Sequence, residues 1–164
     1  MILHDAKLPP RKGYVERVNP NTGEHYYHKV YTKVGIVHRK IIIDKSQIFI
    51  YPSKAINSYI VLTGGGGSSI FKIDGSAGET VSEKLSLRNG KGYQISIGQA
   101  GSSGTSGEPT SFGDLLIALG GQSGTPSNSK PLIVDGIEYG RGETPDAPAT
   151  NGICIIEYDE VIYE

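Results

Sequence analysis

The chain has 164 residues, 23 of them glycine, and a formal net charge of −1. That length suits one ordinary domain or one domain with a short appendage, and the near-neutral charge argues against a nucleic-acid binder. Hydrophobic residues make up only 37%, which predicts a thin core, and no apolar run reaches the roughly 20 residues that a bilayer-spanning helix needs.

The charge is uneven along the chain. Residues 1–55 hold ten Lys/Arg against four Asp/Glu, and the remainder holds six against thirteen. The two parts therefore face different partners, or complement each other within the fold or an oligomer. Residues 1–6 read as too polar and too short for a secretory apolar segment.

Residues 7–24 read as an extended arm, because Pro9-Pro10 disfavours helix. Asn19-Pro20-Asn21-Thr22-Gly23 reads as a turn. His25 to Val34 is rich in aromatic and β-branched residues and predicts a strand, with Tyr26, His28 and Val30 on its buried face. Ile41-Ile42-Ile43 and Gln47 to Tyr51 predict two short strands joined by a hairpin-like break at Asp44-Lys45-Ser46. Ser58 to Thr63 predicts a strand that runs into Gly64-Gly65-Gly66-Gly67.

Ser69 to Ile73 predicts a strand, with Asp74-Gly75 as the turn after it. Thr80 to Leu87 and Tyr93 to Ile97 predict a hairpin around Asn89-Gly90. Residues 111–119 suit a short helix or a strand pair about Gly113-Asp114. Leu132-Ile133-Val134 and Ile137-Glu138-Tyr139 predict a hairpin around Asp135-Gly136, and Gly152 to Tyr158 a closing strand that Val161 to Tyr163 can extend. Turn signals about every ten residues predict an all-β fold: a β-sandwich or jelly-roll-like domain over 36–164, with glycine-rich loops. Residues 1–35 precede it as a basic arm with one strand.

Motifs for chemistry are weak. Gly64–Gly67 follows a strand but lacks the Gly-Lys-Ser/Thr ending of a phosphate loop, so its glycines are read as structural, allowing close backbone approach. His25 and His28 fall on opposite faces of a strand and cannot hold one metal there, although a symmetry axis could bring copies together. The Ser-rich stretch 101–107 has no His in its half of the chain. Asp135, Glu138 and Asp146 offer oxygen ligands without EF-hand spacing, and the carboxylates of 157–160 lack a cleft. Cys154, the only cysteine, sits in an apolar run and predicts a buried thiol. No cofactor, metal or catalytic group is expected.

One arrangement carries a resemblance. Tyr51-Pro52, Tyr59 to Gly67, Gly78 to Glu83, Gly92 to Gly101, Thr110 to Leu116, Gly120-Gly121 and Gly152 to Tyr158 follow one another in order. Over roughly 47–158 this resembles the glycine-rich domain at the ends of bacteriophage tail fibres and related virion proteins. With glycine sparse in 122–151, the domain is expected to be an ordinary β-sandwich with polar loops and not a packed layer of glycine helices.

The resemblance implies a non-enzymatic virion protein, assembled in a host cytoplasm and forming a homotrimer. Its partners would be tail, collar or capsid proteins and a host-surface glycan or protein, with no nucleic acid or membrane. Lys7, Pro9, Pro10, Arg11, Lys12 and Tyr14 are candidates for docking on the particle. Loops 98–110, 120–130 and 140–151 are candidates for receptor contact, through Ser102, Ser103, Thr105, Gln122, Asn128 and Arg141. A capsid decoration, head-fibre or collar protein is the alternative; a glycan depolymerase or a cellular lectin fits less well.

Overall fold

The computed structural model describes residues 9, 11–30 and 33–163. The chain forms two compact units, one of residues 1–37 with 161–164 and one of residues 38–160.

In the first unit, β1 (Tyr14–Val18) and β2 (His25–Lys29) form an antiparallel hairpin, with Tyr14 opposite Lys29 and Val18 opposite His25. Its turn is where the proline and glycines place it. Asn19 Oδ1 accepts from Asn21 N–H at 2.9 Å, and Gly23 takes φ +74°. Two strands replace the expected extended arm with one strand, because Tyr14-Val15-Glu16-Arg17-Val18 finds a partner across that turn. The buried face is also the opposite of the expected one. His25 and Tyr27 are half-buried, while Tyr26 and His28 are exposed. The reason is the cross-strand neighbour: Tyr14 meets Tyr27 edge to face at 6.0 Å, and the Arg11 guanidinium lies 4.1 Å from the Tyr14 ring centre.

The second unit is built on two four-stranded sheets. One has the order β3 (Lys33–Ile43), β12 (Ile153–Tyr163), β5 (Ala55–Thr63), β6 (Thr80–Lys84). The other has the order β4 (Gln47–Ile50), β7 (Gly92–Ser96), β8 (Thr110–Phe112), β9 (Leu116–Ala118). Alternation sends Ile60, Leu62, Cys154 and Ile156 from the first sheet and Tyr93, Ile95 and Phe112 from the second into one core. The hairpin of β10 (Leu132–Val134) and β11 (Ile137–Tyr139) covers the outer face of β5 and β12, where Val134 packs with Ile153 and Ile155. Asp135 and Gly136, at φ +51° and +80°, make its two-residue turn as expected. The fold is all-β with antiparallel pairing, as a sandwich requires.

Two connections differ from the local signals. Asp44-Lys45-Ser46 and the Asn89-Gly90 turn do not close hairpins; each carries the chain from one sheet to the other. β7 pairs with β4, Gln47 opposite Ile95, and not with β6. The turn at Asn89 is held instead by Tyr51, whose carbonyl accepts from Gly90 N–H at 2.7 Å, and Asn89 Nδ2 donates to the Ala55 carbonyl at 2.9 Å. Residues 110–118 form a strand pair, with Gly113 at φ +53° between β8 and β9.

Beyond β5 the chain changes character. Gly64 and Gly67 donate to the carbonyls of Glu79 and Ser76, Gly65 and Ser68 to those of Glu108 and Thr105, and Gly66 to that of Thr150. A β-strand alternates between two neighbours, whereas here the direction recurs every third residue. The carbonyls obey the same rule. Gly65 and Ser68 accept from Gly121 and Gly124, Gly66 from Gly101 and Gly67 from Glu143. Three residues per turn, with no positive φ at Gly64–Gly67, is the polyproline II repeat. Residues 64–68 are thus a central rod bonded to six surrounding segments.

Only glycine permits this packing. A Cβ on Gly64, Gly65, Gly66 or Gly67 would lie 2.2, 2.2, 1.8 or 2.3 Å from the carbonyl oxygen of Leu119, Gln99, Arg141 or Gln122. The surrounding Gly75, Gly78, Gly98, Gly107, Gly121 and Gly142 face backbone oxygens at 1.9–2.1 Å in the same sense. The expectation of ordinary polar loops does not hold: their glycines, with Ser68 and Ser76 buried among them, form a layer packed through the backbone that continues the sandwich.

Candidate functional site

The layer ends in tight turns. Its segments leave the sandwich together and reverse at its far end. The first turn is Ile70-Phe71-Lys72-Ile73, closed by reciprocal backbone bonds between Ile70 and Ile73 at 3.0 and 2.8 Å. Phe71 and Lys72 take φ +49° and +65°, the left-handed region that two-residue hairpin turns demand. Neither residue favours it; the cost is about 1–2 kcal/mol each. This stretch is a turn and not the expected strand, and Asp74-Gly75 lies in the returning glycine segment. Thr63 hands the chain straight to the rod, so the reversal falls where the layer ends and not where the turn-forming residues stand.

The neighbouring turns hold this one. Ser102-Ser103-Gly104-Thr105 reverses with Ser103 and Gly104 at φ +50° and +82°, and Thr105 N–H donates to the Ser102 carbonyl at 3.1 Å. Gly124 N–H donates to the Ser68 carbonyl at 3.0 Å, and Ser68 Oγ to the Thr105 carbonyl at 2.9 Å. Glu143 Oε2 accepts Ser69 N–H at 2.6 Å, just before a further turn, Thr144-Pro145-Asp146-Ala147. Ile70 is half-buried between two of these turns. A Cβ on Gly124 would come within 2.9 Å of its Cβ, and one on Gly104 within 3.5 Å of its Cγ1. With its base so tied, the turn projects Phe71 at 94% exposure.

The residues expected to touch a receptor divide. Ser102, Ser103 and Thr105 share a turn at this end and are exposed. Asn128 is exposed in the separate loop 125–130. Gln122 and Arg141 both lend their carbonyls to the scaffold, packed on Gly67 and Gly66, while Gln122 is otherwise exposed and Arg141 half-buried. The Arg141 guanidinium is also engaged, by Glu138 Oε2 at 2.7 Å and the Pro148 carbonyl at 2.9 Å. Of the docking candidates, Lys7 and Pro10 lie outside the described residues. The Pro9 carbonyl accepts the Tyr27 hydroxyl at 2.5 Å, Arg11 and Tyr14 form the stack described above, and Lys12 is exposed.

Sequence reading missed Phe71, since no residue near it favours a left-handed turn. It set aside a layer of glycine helices, although a signal for one existed: Gly75-x-x-Gly78 and Gly98-x-x-Gly101 repeat the polyproline II period.

Away from the turns, β3 and β12 carry a polar cluster. His38 Nδ1 lies 3.0 Å from Asp159 Oδ1, and Asn57 Nδ2 donates to Asp159 Oδ2 at 3.2 Å. A bulge opposite Glu157–Asp159 puts Asn57 at φ +56° to make that contact. The hydrogen bond to Asp159 raises the His38 pKa above 6.5, and the same bond holds the Asp159 carboxyl below 3.8. Cys154 is fully buried, and desolvation pushes its thiol up to about 12.

A cleft of about 420 Å³ lies beside Tyr51, Ser58, Leu85 and Asn89. Its polar groups are committed: Ser58 Oγ donates to the Leu85 carbonyl, and Asn89 Nδ2 to those of Pro52 and Ala55. Among the described residues, no three His, Cys, Asp or Glu side chains are grouped to hold a metal.

A family described as a glycine-rich domain matches residues 44–158. A search of curated proteins gives no match. The matched span contains both sheets apart from β3 and the end of β12, the whole glycine layer and every turn at its far end, and the chain belongs to this family.

Proposed function

We propose that this glycine-rich domain protein is a structural component of a bacteriophage particle, a tail appendage or fibre tip, that attaches the particle to its host through the turns beyond the glycine layer. One observation carries the reading: a layer without side chains gathers several turns at one end and holds an exposed aromatic in a conformation it would not choose. Residues 1–35, with their basic excess, would dock on the particle. Exposed Ile48 and Ile50 on β4 and Ile117 on β9 support self-association, a trimer being the expected state. Repetition on a particle would let each contact be weak. The protein would act by binding and not by catalysis, and polysaccharides of the host surface should survive incubation with it.

The test is competition. Purified protein should bind host cells and block adsorption of the particle. Capsid-like copy number, with adsorption intact when the protein is lost, would instead establish the decoration, head-fibre or collar reading.

A further inference from the structure

The geometry points to Phe71 as the anchor of the attachment surface, and to a folded protein at the cell surface, with an apolar recess rimmed by carboxylates, as the partner it enters. This rests on the attachment reading above and names the class of its receptor. A phenylalanine at 94% exposure and φ +49° serves no packing purpose in the free chain. A bulky residue held in that region is an outlier that points to function.

The residue is not loose. Ser69 and Ile70 below it are bonded to Glu143 and packed between Gly104 and Gly124, so little ordering is left to be lost on binding. Rigid aromatics are the residues that dominate interface energetics.

Shape selects the partner. Phe71 sits on a convex turn, and a convex knob needs a concave site. A glycan offers none; around the knob the adjoining turns supply the hydroxyls of Ser102, Ser103 and Thr105 and the carboxylate of Asp146. One aromatic and one ammonium are too little apolar surface and charge for a bilayer anchor. Lys72, beside Phe71 and in no ion pair with any described residue, is placed to meet a carboxylate at the edge of that recess.

The test measures binding of the purified full chain to cells of the strain on which the particle is propagated. The cells are used intact, protease-shaved or periodate-oxidised, and vesicles of their extracted lipid form a fourth arm. Wild type should bind intact and oxidised cells and lose binding to shaved cells and vesicles. Phe71→Ala should weaken binding at least about 30-fold. Lys72→Ala should weaken it about 3- to 10-fold and flatten its salt dependence. Phe71→Gly relieves the backbone, so it should lose binding while its thermal midpoint holds or rises, a combination that a structural role would not produce. Wild-type binding that Phe71→Ala leaves within about 3-fold overturns the anchor and leaves the attachment reading standing. Loss on oxidation makes the receptor a glycan, and binding to vesicles makes it lipid; either overturns the proposed partner. Absence of wild-type binding to intact cells overturns both readings.

Discussion

Replacing Gly66 with alanine tests the glycine layer most directly. The new Cβ would sit 1.8 Å from the Arg141 carbonyl oxygen and 2.8 Å from Gly142 N. An ordinary carbon–oxygen contact is about 3.5 Å, so residues 141–142 would have to retreat by more than about 1.5 Å. They have no room, because Gly142 is itself packed on the Gly75 oxygen, where its Cβ would fall at 2.1 Å. Retreat would also pull on the bonds from Glu143 N–H to Gly67 and from Thr150 N–H to Arg141, both 2.9 Å. Two such bonds at about 1 kcal/mol each, with about 1–3 kcal/mol of overpacking, give a loss of about 3–5 kcal/mol. That is a large part of the 5–15 kcal/mol that holds a typical domain. Two controls separate the causes. Gly90→Ala has nothing within 4 Å and suffers only its φ of +79°, about 1–2 kcal/mol. Gly92→Ala meets only the exposed Ile48 Cγ2 at 3.1 Å, which can rotate away, and should stay within about 1 kcal/mol of wild type. Equilibrium urea unfolding ranks the three by midpoint at constant slope. A Gly66→Ala midpoint equal to that of Gly92→Ala would refute the packed rod.

Other consequences can be measured independently. Phe71→Gly removes a left-handed cost of about 1–2 kcal/mol and adds about 0.5–1 kcal/mol of unfolded-chain entropy, so a net stabilisation of about 0.5–1 kcal/mol is expected in the same urea assay. The His38 imidazole should titrate above 6.5 by NMR and fall back in Asp159→Asn, since the bond to Asp159 is its main cause. Because that value is raised, the stabilisation it reports is complete below pH 6.5 and fades as pH climbs through the His38 midpoint. The depressed Asp159 contributes above pH 3.8 and is lost as pH falls through its own midpoint. The pair is therefore strongest between those limits, and an Asp159→Asn variant should show a flatter dependence of stability on pH on both sides. Cys154, with its thiol pushed up to about 12, should resist a thiol reagent at pH 8 in the folded protein and react stoichiometrically in denaturant.

What was legible in the sequence follows from how local its cause is. The strand at Ser58 to Thr63, the closing strand from Ile153 and the Asp135-Gly136 hairpin rest on side-chain alternation and turn residues, and each stands where those signals put it. Asn89-Gly90 also turns, but strand choice is not local. Tyr51 and the core claim Tyr93 and Ile95 for the second sheet, so the hairpin it advertises never forms. The face of β2 was misread because His25 and Tyr27 owe their burial to Tyr14, Glu16 and Arg11, which sit across a turn. The glycine layer was the hardest case. Close packing could be read from four successive glycines, but the six neighbours come from stretches up to 84 residues away, such as Thr150 bonded to Gly66, and carry no apolar pattern to announce them.

The two uses of glycine explain how the candidate site can exist at all. An ordinary core holds a turn through its side chains, so a change at the turn is felt in the packing. Here the turn at Ile70 to Ile73 is held from below by backbone bonds and by Ile70, and Phe71 and Lys72 contribute nothing to that hold. The layer bears the roughly 2–4 kcal/mol of their left-handed backbone and asks no particular side chain in return. Substitutions at Phe71, Lys72, Ser102 and Ser103 should therefore alter binding with little effect on folding, whereas alanine at Gly64–Gly67 should do the reverse. That separation, if measured, would distinguish a contact surface from the backbone scaffold that carries it.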